Sequence, residues 1–353
     1  MKRILNPKTA VLLAVAAAVI LYEKNKKRPI RINEIDYGNQ LTYVIGHKSS
    51  DCDSVASAIA YAKLLNSLGI KAQAAISDQI NNETRFFMER YALKVPEIIK
   101  EATDKQFVLV DHSSYNHAIS GMRKAKVLTI IDHHEKGDIC SDNIPLIKLS
   151  DAGATASMIY RMFNEYKVDI DIDTARVLLM GVMSDTKNLK KVNTTYLDRR
   201  AYADLSAMAL IDDLNSLYEQ MVDASLSYEG MSDEQILYSD IKEYEIEGKK
   251  YAIATATGKN HEAMVELIDK MYAAAQADFE KMGNDYVFLK VRDAETDNMY
   301  MAALGDGAVE LLDSIYFNYD GNRYFVFDVS LNRKLNIVPM IDLAIIDKNK
   351  TYR

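Results

Sequence analysis

The sequence predicts an α/β protein: an N-terminal, mostly parallel sheet with helices on both faces, followed by a smaller C-terminal α+β domain. Three observations predict it. At 353 residues the chain exceeds the usual size of one hydrophobic core, so two domains are expected. From Tyr43 to Met183 short apolar runs alternate with stretches of helical periodicity, the pattern of strand and helix units on a parallel sheet. From Tyr244 the order changes to strand, long helix, strand, strand, helix and strand, an α+β texture. Composition agrees with a folded chain, at 48% apolar and 27% charged residues.

Tyr43 to Ile45 reads as a strand and Ser54 to Leu68 as a helix, with Asp53 or Ser54 at its cap and Gly69 just beyond its end. Lys71 to Ile76 is a second apolar run, Glu83 to Tyr91 a second helix, and Phe107 to Val110 a third run. Lys126 to Ile131 is the strongest strand of the region. Thr155 to Tyr166 and Thr174 to Met183 read as helices; in the latter Ala175, Leu178, Leu179, Val182 and Met183 form one apolar face. A charged helical stretch, Leu197 to Ser225, leads to a boundary expected near residues 220–232. Beyond it come "YEIEGKKYAIATAT", a long helix from His261 to Met282, strands from Asp285 to Arg292 and Met299 to Leu304, a helix, and a strand from Arg323 to Val329. The expected divisions are a hydrophobic and basic segment at 1–35, a first domain at 40–222 and a second at 232–347.

A net charge of −8 argues against a nucleic-acid backbone as the main partner, because that binding depends on clustered Lys and Arg. Cys52 and Cys140 are the two cysteines, so no disulfide framework is expected and a reducing compartment is implied. Ala10 to Tyr22 is apolar and flanked by basic residues, more heavily on its C-terminal side. A spanning helix needs about 20 apolar residues, and this run is nearer a signal-peptide core, with no convincing cleavage site after it. If inserted, its flanks would keep the globular part in the cytoplasm. The expectation is a cytoplasmic protein, with or without a tether to the cytoplasmic face of the membrane; a buried or amphipathic leading helix is the competing reading. Homodimerisation is compatible with the composition.

Five of the six histidines lie between His47 and His134, and they cluster with aspartates at the ends of apolar runs. The runs are "VIGHKSSDCD" with His47, Asp51 and Asp53, "FVLVDHSS" with Asp111, and "VLTIIDHH" with Asp132, His133 and His134. A further acid, Asp185 in "GVMSDTKN", ends an apolar helix. In open α/β sheets ligands sit outside the carboxyl ends of strands, so separate strands can deliver these groups to one cleft. Burying an unpaired aspartate costs several kcal/mol, and no Lys or Arg lies within the apolar parts of these runs. A divalent cation is the economical partner. A mixed histidine and carboxylate set suits Mn²⁺, Co²⁺ or Fe²⁺ better than the oxygen-only preference of Mg²⁺ and Ca²⁺. His117, His261 and Cys52 read as ordinary surface or packing residues.

Taken together, "GHKSSDCDSVASAIAYAKL", "VLVDHSS", "TIIDHH", "DAGATAS" and "MSDT" resemble the DHH phosphoesterase superfamily and, within it, the family II, manganese-dependent inorganic pyrophosphatases. "NRKLNIVP" resembles the substrate clamp of that family's DHHA2 domain. The resemblance implies that His47, Asp51, Asp111 and Asp185 hold one metal. It implies that Asp53, Asp111, His133 and Asp185 hold a second, with Asp111 and Asp185 bridging. His134, Arg333 and Lys334 would face a small phosphate substrate, and Asp132 would orient the histidines. Two divalent cations, Mn²⁺ first and Co²⁺ second, are implied, with Mg²⁺ arriving on the substrate.

Two departures stand out. The family's lysine in "LS-x-K-T" is replaced in "LSYEGMSDEQ", where Met231 or a neighbour falls at that point, and its "RKK" is shortened to Arg333, Lys334, Leu335. The function implied is hydrolysis of inorganic pyrophosphate to two phosphates by a metal-activated water. The competing expectations are an exopolyphosphatase with the same site and, from another class, a non-catalytic phosphate or nucleotide sensor.

Overall fold

The apolar runs of the first half form one sheet. In the computed structural model of the chain, residues 30–139, 143–317, 319, 321 and 323–351 are described, and they divide into two units between Tyr218 and Glu219. Ala10 to Tyr22, with the expectations of a tether or leading helix, and Cys140 lie outside the described residues.

The first unit runs β1 (Thr42–Ile45), α1 (Cys52–Ser67), β2 (Ala72–Ile76), α2 (Asn82–Arg90), β3 (Glu97–Ile98), β4 (Gln106–Val110), β5 (Lys126–Asp132) and β6 (Leu146–Leu149). Three helices follow, α3 (Thr155–Tyr166), α4 (Ile172–Asp185) and α5 (Tyr196–Ala209), and α6 (Leu214–Ser225) carries the chain across the division into the second unit. All strand pairs are parallel, in the order β3-β2-β1-β4-β5-β6. The order reverses between β1 and β4, so their carboxyl ends, at Ile45 and Leu109 in register, flank a switch point.

Fully buried strands need no polar alternation, which is why β4 reads "QFVLV" with every residue buried. On one face Ile45, Phe107, Leu109 and Ile130 pack with Ala102, Ile119 and Met122 from the connecting segments. Truncating a buried phenylalanine such as Phe107 to alanine removes about 3 to 5 kcal/mol. α1 is built from small residues, with Ala56, Ser57, Ala58 and Ala60 fully buried, so other helices approach it closely. Gly181 of α4 marks the tightest point: a Cβ there would lie 2.8 Å from Asp53 Oδ1 and 2.9 Å from the Ala156 Cβ.

Two local expectations are corrected. The N-cap of α1 is Asp51, not Asp53 or Ser54: its backbone is still extended, and its carboxylate accepts from the Ser54 N–H at 3.0 Å. Asp53, two residues later in the first turn, is thereby free to turn inward. The charged stretch from Leu197 to Ser225 is two helices, because Leu210 adopts a left-handed conformation (φ 53°) and Asp213 caps the next helix through the Ser216 N–H at 3.0 Å.

The second unit carries α7 (Asp233–Ser239), β7 (Ile241–Ile246), β8 (Lys249–Gly258), α8 (His261–Met282), β9 (Tyr286–Asp293), β10 (Met299–Leu304), α9 (Ala308–Tyr316), β11 (Phe325–Phe327) and α10 (Val338–Thr351). Its sheet order is β11-β10-β9-β8-β7, with only β8 and β9 parallel. Glu247 and Gly248, both at positive φ, make the tight β7–β8 hairpin. One face of the sheet packs on Met264, Ile268 and Met271 of α8. The other packs on Leu311 and Leu312 of α9 and Ile341 and Ile345 of α10. The strand expected from Arg323 to Val329 is shortened to three residues.

Candidate metal centre

The reversal of strand order gathers the histidines and aspartates of the first unit. His47 follows β1 by two residues, Asp111 follows β4 directly, Asp132 ends β5, and His133 and His134 come next. Asp51 and Asp53 open α1, and Asp185 ends α4. His47 Nε2 lies 3.4 Å from Asp51 Oδ2 and 3.3 Å from Asp111 Oδ2. His133 Nε2 lies 3.4 Å from Asp111 Oδ1 and 3.3 Å from Asp185 Oδ2. Three overlapping groups of candidate ligand atoms result: His47 with Asp51 and Asp111; Asp53 with His133 and Asp185; and Asp111 with His133 and His134, each within 4.8 Å.

Each histidine is oriented by its backbone surroundings. His47 Nδ1 donates to the Lys48 carbonyl at 2.6 Å, and His133 Nδ1 to the Ala152 carbonyl at 2.9 Å. Both rings therefore turn Nε2 inward toward the carboxylates, the orientation that a metal-ligating imidazole needs. His134 differs. Its Nδ1 donates to Asp132 Oδ1 at 2.9 Å, and its half-exposed ring keeps Nε2 free of any described partner. Asp132, fully buried, also accepts from Ser113 Oγ at 2.8 Å.

The carboxylates are held by helix termini as well. Asp53, fully buried, accepts from the Thr155 N–H at 2.6 Å and the Ala156 N–H at 2.9 Å, both at the start of α3. Thr155 Oγ1 donates to Asp111 Oδ1 at 2.9 Å. Thr155 thus secures two candidate ligands at once, a role that sequence reasoning missed; its only signal was the helix start in "DAGATAS". Asp111 itself sits at φ 63°, a left-handed position that aspartate tolerates better than most residues. Glu83 was also missed. It accepts from Ser184 Oγ at 3.0 Å, and burial, aided by Asp51 and Asp185, pushes it up to about 7.

Electrostatics mark the same place. Burial, then Asp111 and Asp185, drives the Asp53 carboxyl well above its ordinary range, and burial likewise raises Asp111. Burial alone would lower His47, but Asp111 and Asp51 raise it to about 11; burial opposes Asp185 and Asp53 at His133, which is raised to about 10. The cluster holds more negative charge than its protein partners neutralise. Among the described residues no lysine or arginine pairs with Asp51, Asp53, Asp111 or Asp185.

The residues fit a divalent cation on two counts: the donor set mixes imidazole and carboxylate, and His133 Nε2 is buried without a hydrogen-bond partner among the described residues. Cys52 is no part of the set; it is fully buried and accepts from Thr84 Oγ1. His117 is exposed, and the His261 ring packs edge-on against Tyr300. Arg333 and Lys334 belong to the second unit, on the irregular turn Arg333–Ile337.

Residues 41–182 match the DHH family N-terminal domain, and residues 219–344 match the DHHA2 domain. A DHH domain followed by a DHHA2 domain places the chain in the DHH family. Within it, the chain belongs with the family II, manganese-dependent inorganic pyrophosphatases. The manganese-dependent inorganic pyrophosphatase of Methanothrix thermoacetophila is 29% identical over 304 residues, covering 86% of this chain and 97% of the relative. A protein of Archaeoglobus fulgidus named as a probable manganese-dependent inorganic pyrophosphatase is 29% identical over 316 residues, covering 86% of this chain and 98% of the relative. A Methanococcus jannaschii crystal structure assigned to family II inorganic pyrophosphatases is 25% identical, with a TM-score of 0.63 over 86% of this chain and 99% of that one. Among the described residues no helix is long and apolar enough to cross a membrane.

Proposed function

We propose that the chain hydrolyses inorganic pyrophosphate to two phosphates with the help of two divalent cations, Mn²⁺ foremost. The observation that carries this reading is the overlap of the three ligand groups through Asp111 and His133. His47, Asp51 and Asp111 would hold one cation, and Asp53, His133 and Asp185 the other, with Asp111 able to serve both. When bound, such a pair polarises phosphoryl oxygens and makes water nucleophilic near neutral pH.

The chain's own residues do the positioning. The Nδ1 hydrogen bonds of His47 and His133 fix both rings before any cation arrives, so little reorganisation is needed. Thr155 and the first amides of α3 hold Asp53 and Asp111 against rotation. His134, oriented by Asp132, presents its free nitrogen to an incoming phosphate oxygen. The likeness of "NRKLNIVP" to the DHHA2 substrate clamp supports a phosphate-binding role for Arg333 and Lys334, whose cationic groups suit a phosphate anion. Two cysteines, too few for a disulfide framework, support a reducing, cytoplasmic setting.

The test is phosphate release by the metal-stripped full chain after reloading with Mn²⁺, Co²⁺ or Mg²⁺. Pyrophosphate, tripolyphosphate and a short oligoribonucleotide are the substrates. Mn²⁺-dependent release from pyrophosphate is expected. Release from tripolyphosphate alone would move the assignment to an exopolyphosphatase, and no release from either would leave the sensor reading standing.

A further inference from the structure

The second unit carries a cationic corner. On β9 the alternate residues Tyr286 and Phe288 face the apolar cluster under α9 and α10, and Lys290 and Arg292 continue that row beyond it. Their register partners on β8 are Thr255 and Thr257. Arg333 reaches the same end of the sheet. Its guanidinium bonds Asp240 Oδ1 at 2.7 Å and donates to the carbonyls of Asp240 at 3.0 Å and Ile253 at 3.3 Å.

The charges here do not balance. Arg333 is paired with Asp240, and Arg292 with Asp297 at 3.1 Å. Lys290 is half-buried and has no hydrogen bond or ion pair among the described residues. Burial first, then Arg292 and Arg333, lowers it from the ordinary lysine range, while Asp297 and Asp240 oppose that shift. A half-buried ammonium beside two guanidiniums is unfavourable for folding alone, and an anion would relieve it. Met231 offers no alternative cation, since it packs against the apolar cluster on the opposite face of the sheet.

We propose that Lys290 is a phosphate-binding residue, forming with Arg333 and Arg292 an anion cradle in the second unit that takes a phosphate group. The identity of the anion as phosphate rests on the pyrophosphatase reading; the cradle itself rests on the unpaired lysine and its two neighbours. Arginine and lysine bind phosphate in different ways, the former as a planar fork and the latter as a point charge, and this corner combines them.

The experiment titrates the Mn²⁺-loaded full chain with inorganic phosphate by calorimetry, beside steady-state kinetics on pyrophosphate. Lys290→Gln should weaken phosphate about 10- to 100-fold and raise KM, the loss of one charge-assisted contact, while Mn²⁺ stoichiometry and far-UV circular dichroism stay unchanged. Lys290→Arg should recover most of the affinity. Lys242→Gln, an exposed lysine on β7, should change nothing. A Lys290→Gln chain that binds phosphate as tightly as the wild type overturns the proposal. Should that variant fail to fold, the wild type decides: its phosphate affinity must fall at a pH below the ordinary lysine range, and Lys290→Arg must abolish the fall; a flat profile overturns the proposal equally. Lys290-dependent phosphate binding without pyrophosphate hydrolysis would sink the enzymatic reading while leaving this cradle in place.

Discussion

Replacing Asp111 by asparagine puts the metal centre to its most direct test. Asparagine tolerates the left-handed backbone at φ 63°, so charge changes without backbone strain. It also keeps an oxygen to accept from Thr155 Oγ1. What disappears is a negative charge 3.3 Å from His47 Nε2 and 3.4 Å from His133 Nε2. At that separation and an effective dielectric of about 20, each unit of positive charge loses about 5 kcal/mol of gross attraction. Desolvation offsets part of this, and removing one partner of a buried pair costs about 3 to 5 kcal/mol net. At about 1.4 kcal/mol per decade, Mn²⁺ affinity should fall by about two to three orders of magnitude. Calorimetric Mn²⁺ titration measures it, with circular dichroism as the check on folding. Wild-type affinity and stoichiometry in Asp111→Asn would refute the shared-ligand geometry.

Three further outcomes follow from the surroundings of the centre. Gly181→Ala should destabilise the chain by about 1 to 3 kcal/mol in urea unfolding and weaken Mn²⁺ binding, since the added carbon meets Asp53 Oδ1. Asp198→Ala should cost about 1 to 3 kcal/mol, because it leaves the Gly153 N–H and Thr195 N–H without their acceptor and loosens the loop that offers the Ala152 carbonyl to His133. His112 is lowered to about 4, chiefly by burial, so the unfolded chain takes up its proton first. Its contribution is complete above about pH 6.5 and is lost as pH falls toward 4, by up to about 3 kcal/mol. Comparing wild type with His112→Gln at pH 7 and pH 4.5 isolates that share, and identical pH responses would contradict it.

Legibility in the sequence followed burial. β4 and β5 stood out because parallel strands covered on both faces are continuous apolar runs. β3, two exposed residues, and β6, partly exposed at the sheet edge, carry no such run and were invisible. α10 escaped for another reason: Pro339 reads as a break, yet in the first turn of a helix it removes no hydrogen bond that would otherwise form. The candidate ligand positions, which the fold gathers into overlapping groups, were legible because strand ends and histidine or aspartate coincide in the sequence. The setting of Lys290 was not, because it depends on the register of β8 against β9 and on the fold of the Arg333 turn, neither of which is local.

The centre's charge is compensated in layers, and the last layer is the one that a metal replaces. Asp51 is partly satisfied by capping its own helix, and Asp53 by the first amides of α3. Asp111 and Asp185 are left facing histidine nitrogens. In the metal-free chain His47, raised to about 11, and His133, raised to about 10, therefore hold protons at neutral pH. A cation can enter only by taking the lone pairs those protons occupy, so binding must release protons and tighten as pH rises. Mn²⁺ titrations at pH 7 in two buffers of different ionisation enthalpy should report about two protons released for the pair of sites. Equal heats in both buffers would mean that the imidazoles are already neutral, and that the carboxylates are balanced by something other than His47 and His133.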